Sequence, residues 1–310
     1  MEFPIKVTLN EVVLRDGLQL EKKIVSVEEK ELLFSSLKKA GVKSFEFGSF
    51  VHPKRVPQME NSGAFHTKIK KDNDSTTLIA LVPNLKGVER AQQFGVKQIN
   101  YVFSASDTHN LQNVQKSTMQ SVDELKGIHN YCATNEITLD TTIATTFGCP
   151  FEGDISKERI LLLIQKLTDL DINTLTLADT TGMANPRQVF ELLKDIRFAF
   201  PNQKLNLHFH NTRGMGLSNI IAGVNAGVTS FDTSLGGLGG CPFAPGATGN
   251  VCTEDVVHML HGMGIQTNLD VDELIATSAL LEEIVGHQNS SYLLKAGPSN
   301  KMYPVPVTNY

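Results

Sequence analysis

The sequence predicts an α/β protein built as one (β/α)8 TIM barrel with extra C-terminal helices, and three observations lead there. Eight short runs rich in β-branched and apolar residues alternate with segments of helical apolar spacing along the 310 residues. No run is joined to the next by a two-residue hairpin signal, so the strands read as parallel neighbours. Polar residues capable of chemistry recur where these strands end, the face on which such barrels carry their sites. A doubly wound open sheet is the alternative, and the lack of a Gly-x-Gly-x-x-Gly in the first strand–helix turn argues against it.

The elements follow in order. Residues 5–13 alternate and are rich in β-branched side chains, the pattern of a strand running into Leu14-Arg15-Asp16-Gly17. Leu32, Leu33 and Leu37 mark a helix over 27–40, stopped by Gly41. The second strand, 42–50, carries Glu46, and the third, 76–82, stops at Pro83-Asn84. A helix over 85–94 closes at Gly95 and leads into the fourth strand, 96–103. Residues 122–134 read as a helix and 137–144 as the fifth strand, ending near Gly148-Cys149-Pro150. Ser156 caps a helix to residue 170, with Glu158 near its positive end. The sixth strand, 172–178, ends in Asp179-Thr180-Thr181-Gly182, and Pro186 opens a helix to residue 200. The seventh strand is 205–210. A helix over 216–226 ends at Gly227, and 228–234 is the eighth strand. Residues 254–262 and 271–286 read as helices, so 253–310 extends a single domain spanning 1–310, with an irregular tail from Pro298.

Composition narrows the function classes. The 41% hydrophobic and 20% charged fractions are those of an ordinary soluble globular protein. A net charge of -5 gives no basis for a nucleic acid or an anionic membrane as partner. No apolar run reaches transmembrane length, and the first ten residues lack a signal or transit pattern, so a cytoplasmic location is expected. The cysteines Cys132, Cys149, Cys241 and Cys252 include no Cys-x-x-Cys pair, which fits free thiols in a reducing compartment.

The chemistry centres on Leu205–Asn211. His208 and His210 point to one face of a strand, about 7 Å apart, and can reach one metal ion together. Arg15, Asp16, Glu46, Asp179, His208 and His210 are all expected at C-terminal strand ends. Singly, an aspartate there caps a turn and Glu46 pairs with a lysine; stability alone does not ask six such residues to gather. After the eighth strand, residues 236–250 hold a glycine-rich loop bearing Cys241, a candidate acid or base, and Asn250, whose side-chain oxygen can complete a metal site. Asp16, His208, His210 and Asn250 then make two nitrogen and two oxygen donors, a set suited to Mg²⁺ or Mn²⁺ with Zn²⁺ as the alternative. A zinc amidohydrolase also uses His-x-His, but on its first strand rather than its seventh.

At these residues the sequence resembles the 3-hydroxy-3-methylglutaryl-CoA lyase family, barrel metallolyases with an Arg-Asp pair after strand 1. The resemblance rests on Leu14-Arg15-Asp16-Gly17-Leu18-Gln19, Ser49-Phe50-Val51, Val56-Pro57-Gln58-Met59, Pro83-Asn84-Leu85-Lys86-Gly87 and Gly148-Cys149-Pro150-Phe151-Glu152-Gly153. It continues through Asp179-Thr180, His208-Phe209-His210, the segment 237–250 and Thr253-Glu254-Asp255. The Gly-Leu-Gly-Gly-Cys-Pro loop is more diagnostic than His-x-His, which related synthases also carry. The resemblance implies that Asp16, His208, His210 and Asn250 hold a divalent cation and that Arg15, Glu46, Asp179, His208 and Cys241 serve catalysis. It further implies an acyl-CoA substrate cleaved to acetyl-CoA and acetoacetate, and a homodimer. Two departures leave the acyl group open: Asn211-Thr212-Arg213-Gly214 stands where the lyases have Asp-Thr-Tyr-Gly, and Ala144-Thr145-Thr146-Phe147 where they have Ser-Cys-Ala.

Two other readings remain beside the lyase. A Claisen-type synthase or aldolase runs the same chemistry towards condensation, but usually carries a longer C-terminal region than the ~60 residues beyond this loop, short of a typical domain of ~100. A catalytically silent metal-binding barrel would be signalled by the loss of one of the eight named residues, and all eight are present.

Overall fold

The computed structural model describes residues 3–70, 75–168, 170, 172–240 and 249–305. Within them the chain runs β1 (Thr8–Glu11), α1 (Val27–Lys39), β2 (Ser44–Ser49), α2 (Ser62–Ile69), β3 (Thr77–Val82), α3 (Leu85–Gln93), β4 (Gln98–Ser104), α4 (Asp107–Val114), α5 (Thr118–Thr134), β5 (Thr138–Ala144) and α6 (Lys157–Leu167). It continues through β6 (Leu175–Asp179), α7 (Pro186–Ala199), β7 (Leu205–Phe209), α8 (Gly216–Asn225), β8 (Ser230–Thr233), α9 (Thr253–Gly262), α10 (Val271–Val285) and α11 (Tyr292–Ala296). The strands form a closed barrel in sequence order. Closure is parallel, with Thr8, Leu9, Asn10 and Glu11 opposite Ser230, Phe231, Asp232 and Thr233. No helix is long and apolar enough to cross a membrane, among the described residues.

The predicted barrel is borne out, and the differences lie at element ends and in short helices. The first strand stops at Glu11, not residue 13, because the chain turns into a π-helical turn at Val13–Gly17. The sixth strand begins at Leu175 rather than residue 172, and the helix before it ends at Leu167 rather than 170. α5 begins at Thr118 rather than 122: Ser117 accepts from the Gln120 amide and Gln120 returns to the Ser117 amide, a capping box that offsets the weak apolar pattern of the first turn. α2, α4 and α11 lie in stretches for which no helix is predicted; α4 and α11 are capped by Ser106 and Ser291. α1 starts as expected, with the Ser26 and Glu29 side chains each bonded to the other's backbone amide.

Alternation along the strands separates two environments. Outward-facing residues pack under the helices: the Phe45 ring lies 4.7 Å from Phe34, and Phe47 is stacked at 4.9 Å on His66. A Cβ on Gly223 of α8 would stand 2.6 Å from Leu207, so α8 packs almost directly on β7 and β8. Each such buried Phe or Leu contributes about 1.5–3 kcal/mol. The inward-facing residues are polar and bonded across strands. Ser44 donates to Asn10 (2.8 Å), Asn10 to Asp232 (2.9 Å), Ser230 to Asn206 (2.8 Å) and Asn206 to Asp232 (2.8 Å). On the far side Thr142 donates to Asn100 (2.9 Å) and Asn100 to Glu46 (3.0 Å). Most barrels fill this space with branched aliphatic layers. Here it is a hydrogen-bonded polar lumen, and its upper rim is the site.

Candidate functional site

Arg15 and Asp16 ride on the π-turn, where Leu18 donates back to the Val13 carbonyl at 2.8 Å. Such turns recur at functional sites because the extra residue redirects side chains. Gly17 permits it: a Cβ there would lie 2.8 Å from both Ser234 Oγ and Val13 Cγ2. The turn aims the Arg15 guanidinium down into the lumen, where it bridges Asp16 and Glu46. Burial works against the Arg15 charge, but Asp16 and Glu46 outweigh it and hold the guanidinium above its ordinary value. Burial also pushes the Asp16 carboxyl up, and Arg15 with the two imidazoles more than reverses that, leaving it below the usual carboxylate range. For Glu46, burial together with the Asp232 charge outweighs Arg15, so its carboxyl sits above the usual range. The expectation that Glu46 stands at a strand end is corrected: it lies mid-strand in β2, inside the lumen, and its partner is Arg15 rather than a lysine.

β7 brings the two histidines to the same point. His208 Nε2 and His210 Nε2 are 3.1 Å apart, and Asp16 Oδ2 is 4.0 Å from His210 Nε2. One ligating atom from each of Asp16, His208 and His210 falls within 4.8 Å of the others. His208 Nδ1 is engaged by Asp232 Oδ2 at 3.0 Å. Burial lowers the His208 pKa, but the bond and charge of Asp232 prevail and raise it. His210 has no such carboxylate bond: burial and the neighbouring imidazole push it down to about 4, so it is neutral at physiological pH.

These residues fit a divalent cation. Donors about 2.1 Å from a common octahedral ion stand about 3 Å apart at right angles, the spacing of the two Nε2 atoms. Their close approach calls for a proton on one ring or a cation between them, since two facing lone pairs repel. Asn250, opposite His210 in an isolated bridge, donates through Nδ2 to Asp16 Oδ2 (2.6 Å) and Leu238 O (2.9 Å). Its Oδ1 is buried and has no hydrogen-bond partner among the described residues. Gly239, at φ +120°, makes room: a Cβ there would be 2.4 Å from Asn250 Nδ2 and 3.1 Å from Asp16 Oδ2.

Asp179 closes β6 beside this cluster. Its Oδ1 accepts from the Met183 (2.8 Å) and Ala184 (3.1 Å) amides, the turn-capping role open to it in the sequence, while Oδ2 is buried without a partner among the described residues. Burial, only partly offset by the two amides, pushes its carboxyl up to about 7. Cys241 lies outside the described residues; Cys132, Cys149 and Cys252 are buried free thiols. Arg213, at the departure noted in the sequence, donates to the Thr181 and Gly182 carbonyls (2.9 Å each) and ties the loops after β6 and β7 together.

The sequence reading missed Asp232, Glu11 and the asparagines of the lumen. Their signal is there in hindsight. Asn206 and His208 alternate with Leu205, Leu207 and Phe209, and Asp232 follows Phe231, so each is a polar residue on the inner face of a strand whose outer face is packed. Glu11 is the less expected of them. Its Oε1 accepts from the amides of Val13 and Leu235 (both 2.9 Å), and its Oε2 accepts from Thr253 Oγ1 (2.7 Å). One carboxylate thereby fastens the π-turn, the segment after β8 and the start of α9.

A family model described as HMGL-like matches residues 6–281. The chain is 40% identical over 286 residues to a hydroxymethylglutaryl-CoA lyase of Bacillus subtilis, covering 92% of this chain and 95% of that protein. It is 38% identical over 311 residues to an (R)-citramalyl-CoA lyase of Chloroflexus aurantiacus, covering 97% of each. Among solved structures, an HMG-CoA lyase of A. baumannii in complex with coenzyme A and 3-methylmalate superposes with a TM-score of 0.93 at 43% identity, over 99% of this chain and 100% of that one.

The Glu11 latch generates a pH test. Burial, against the opposing pull of its hydrogen bonds, raises the Glu11 pKa from 4.5 to about 8. A folded-state pKa above the unfolded one means stability is complete below pH 4.5 and declines as the pH rises through 8, at up to about 1.4 kcal/mol per pH unit. Glu11→Gln, which keeps an acceptor for the amides and does not ionise, is expected to lose less stability between pH 5 and pH 8 than the parent. Urea midpoints at the two pH values read this directly, and equal losses would show that Glu11 is not the titrating group.

Proposed function

The chain belongs to the HMGL-like family and is a carbon–carbon lyase, and from that premise we propose that it cleaves 3-hydroxy-3-methylglutaryl-CoA, or a close hydroxyacyl-CoA, to acetyl-CoA and a keto acid. The observation that carries this reading is the junction of two charges: a buried Asp16–His208–His210 cluster directly beside a buried guanidinium. Asp16, His208, His210 and Asn250 would hold the divalent cation, with Mg²⁺ or Mn²⁺ favoured by the mixed nitrogen and oxygen donors. When bound, it supplies a Lewis acid that lowers the pKa of the substrate hydroxyl and orients it.

The remaining work falls to this chain's own residues. Asp179, with an unpartnered buried oxygen and a pKa of about 7, takes the hydroxyl proton. As the carbinol becomes a ketone, the electron pair of the C2–C3 bond passes to the thioester, which becomes an enolate. Arg15 faces the developing oxyanion, and Glu46 and Asp16 keep its guanidinium in place. His208 has Nδ1 on Asp232 and Nε2 in the cluster, so it orients rather than carries a proton. Cys241 returns a proton to the enolate carbon, giving acetyl-CoA. The identity to a citramalyl-CoA lyase and the two departures in the site loops keep a second acyl group in view.

Purified protein with Mg²⁺ is therefore assayed against 3-hydroxy-3-methylglutaryl-CoA and citramalyl-CoA. Release of acetyl-CoA with acetoacetate from the first supports the proposal; release of acetyl-CoA with pyruvate from the second alone moves the substrate but keeps the chemistry; no product from either sinks it. Arg15→Lys is expected to lower kcat at least ~100-fold, about the loss of one oxyanion donor, with a much smaller change in Mn²⁺ affinity. The rate rises with pH as Asp179 deprotonates, and Asp179→Asn is expected to lose both most of the rate and that acid limb. Cys241→Ser is expected to keep fold and metal while losing most turnover; wild-type turnover would remove the thiol from the mechanism.

A further inference from the structure

Beneath the cluster, Asp232 is held in a way that packing does not require. Its Oδ1 accepts from two side-chain amides, Asn10 Nδ2 at 2.9 Å and Asn206 Nδ2 at 2.8 Å. Its Oδ2 faces His208 Nδ1 at 3.0 Å. A carboxylate only accepts, so both asparagines must turn their NH₂ groups towards it. Their oxygens then face away, and each meets a serine hydroxyl: Ser44 on Asn10 and Ser230 on Asn206, both at 2.8 Å. Four strands, β1, β2, β7 and β8, thus contribute to one oriented array.

We propose that Asp232 is a positioning residue for the metal centre, fixing the proton of His208 on Nδ1 so that Nε2 presents a lone pair towards His210 and Asp16. A histidine that binds a metal commonly donates its other ring N–H to a carboxylate, which sets the tautomer and the ring orientation. The Asn10 and Asn206 amides extend this control to the floor of the barrel, since reversing either would set its oxygen against Asp232, while Ser44 and Ser230 satisfy the amide oxygens that face away. The polar lumen is then the support of the metal site rather than an imperfect core. This rests on the reading of Asp16, His208 and His210 as ligands.

Asp232→Asn reverses the array at a single atom. The two amide donors hold the new side chain's oxygen where Oδ1 was, its NH₂ then points at His208 Nδ1, and the ring proton is forced onto Nε2. In metal-free protein, nitrogen-15 NMR of the imidazoles is expected to show His208 protonated on Nδ1 in the parent and on Nε2 in D232N. Electron paramagnetic resonance of free Mn²⁺ is expected to show affinity lower by about 10–100-fold in D232N. Should D232N not fold, Asp232→Ser, which has no carboxylate for His208, is expected to show the same loss. Parent-like Mn²⁺ affinity together with an unchanged tautomer would overturn the inference. A parent that binds no Mn²⁺ would overturn the ligand assignment instead, and the tautomer measurement would still decide the role of Asp232.

Discussion

Arg15 is the charge on which the architecture of the lumen depends. Asp16, Glu46 and Asp232 are brought within a few side chains of one another inside the barrel, away from water. An isolated buried carboxylate is costly enough that it would take up a proton instead. The guanidinium answers two of them at once through a planar, multiply donating group that never loses its charge. Buried pairs of this kind are poor sources of net stability, and removing one member leaves the other uncompensated. Arg15 is thus as much a structural necessity for Glu46 and Asp16 as they are for its orientation.

The division of the barrel into an apolar outer shell and a polar interior follows from this. Phe34, Phe45, Phe47, Phe65, Leu207 and Phe231 supply burial between strands and helices, and they leave the lumen free to be specialised. A hydrogen-bonded interior has little tolerance for partial satisfaction, because an unpaired buried group costs about 1–3 kcal/mol. The few partnerless atoms among the described residues include Asp179 Oδ2 and Asn250 Oδ1, both at the rim. The rim is where substrate or cation would supply what the protein does not.

Much of this was legible in the chain. The order of strands and helices and the shared face of His208 and His210 follow from periodicity and from where polar residues interrupt it. What was not legible depends on closure. Asp232 sits in the short run Phe-Asp-Thr, and nothing local says that His208 stands beside it; the register of β7 against β8 does. Glu11 reads as the end of a strand, and only the return of the chain at Leu235 and Thr253 reveals three donors converging on it. Glu46 reads as a rim residue in the sequence because period-2 reasoning gives the face of a residue but not its depth. The π-turn is hidden for a related reason, since Val12 through Leu14 continue the apolar pattern of the strand while the backbone has already left it.

The seam between β1 and β8 also sets the order in which the protein can be made. Asn250 follows Asp16 by 234 positions and the histidines follow it by nearly 200. At ribosomal speeds of about 5–20 residues per second, the first carboxylates wait on the order of 10–50 s for the groups that neutralise or bond them. During that interval the unsealed strand β1 offers an open sheet edge, a template for wrong partners. Glu11 is fastened only once Thr253, 242 positions further along, has been added. A nascent chain of this design is therefore most exposed to aggregation while β8 and the segment up to Thr253 are still being added, when much of its apolar shell exists and its barrel does not.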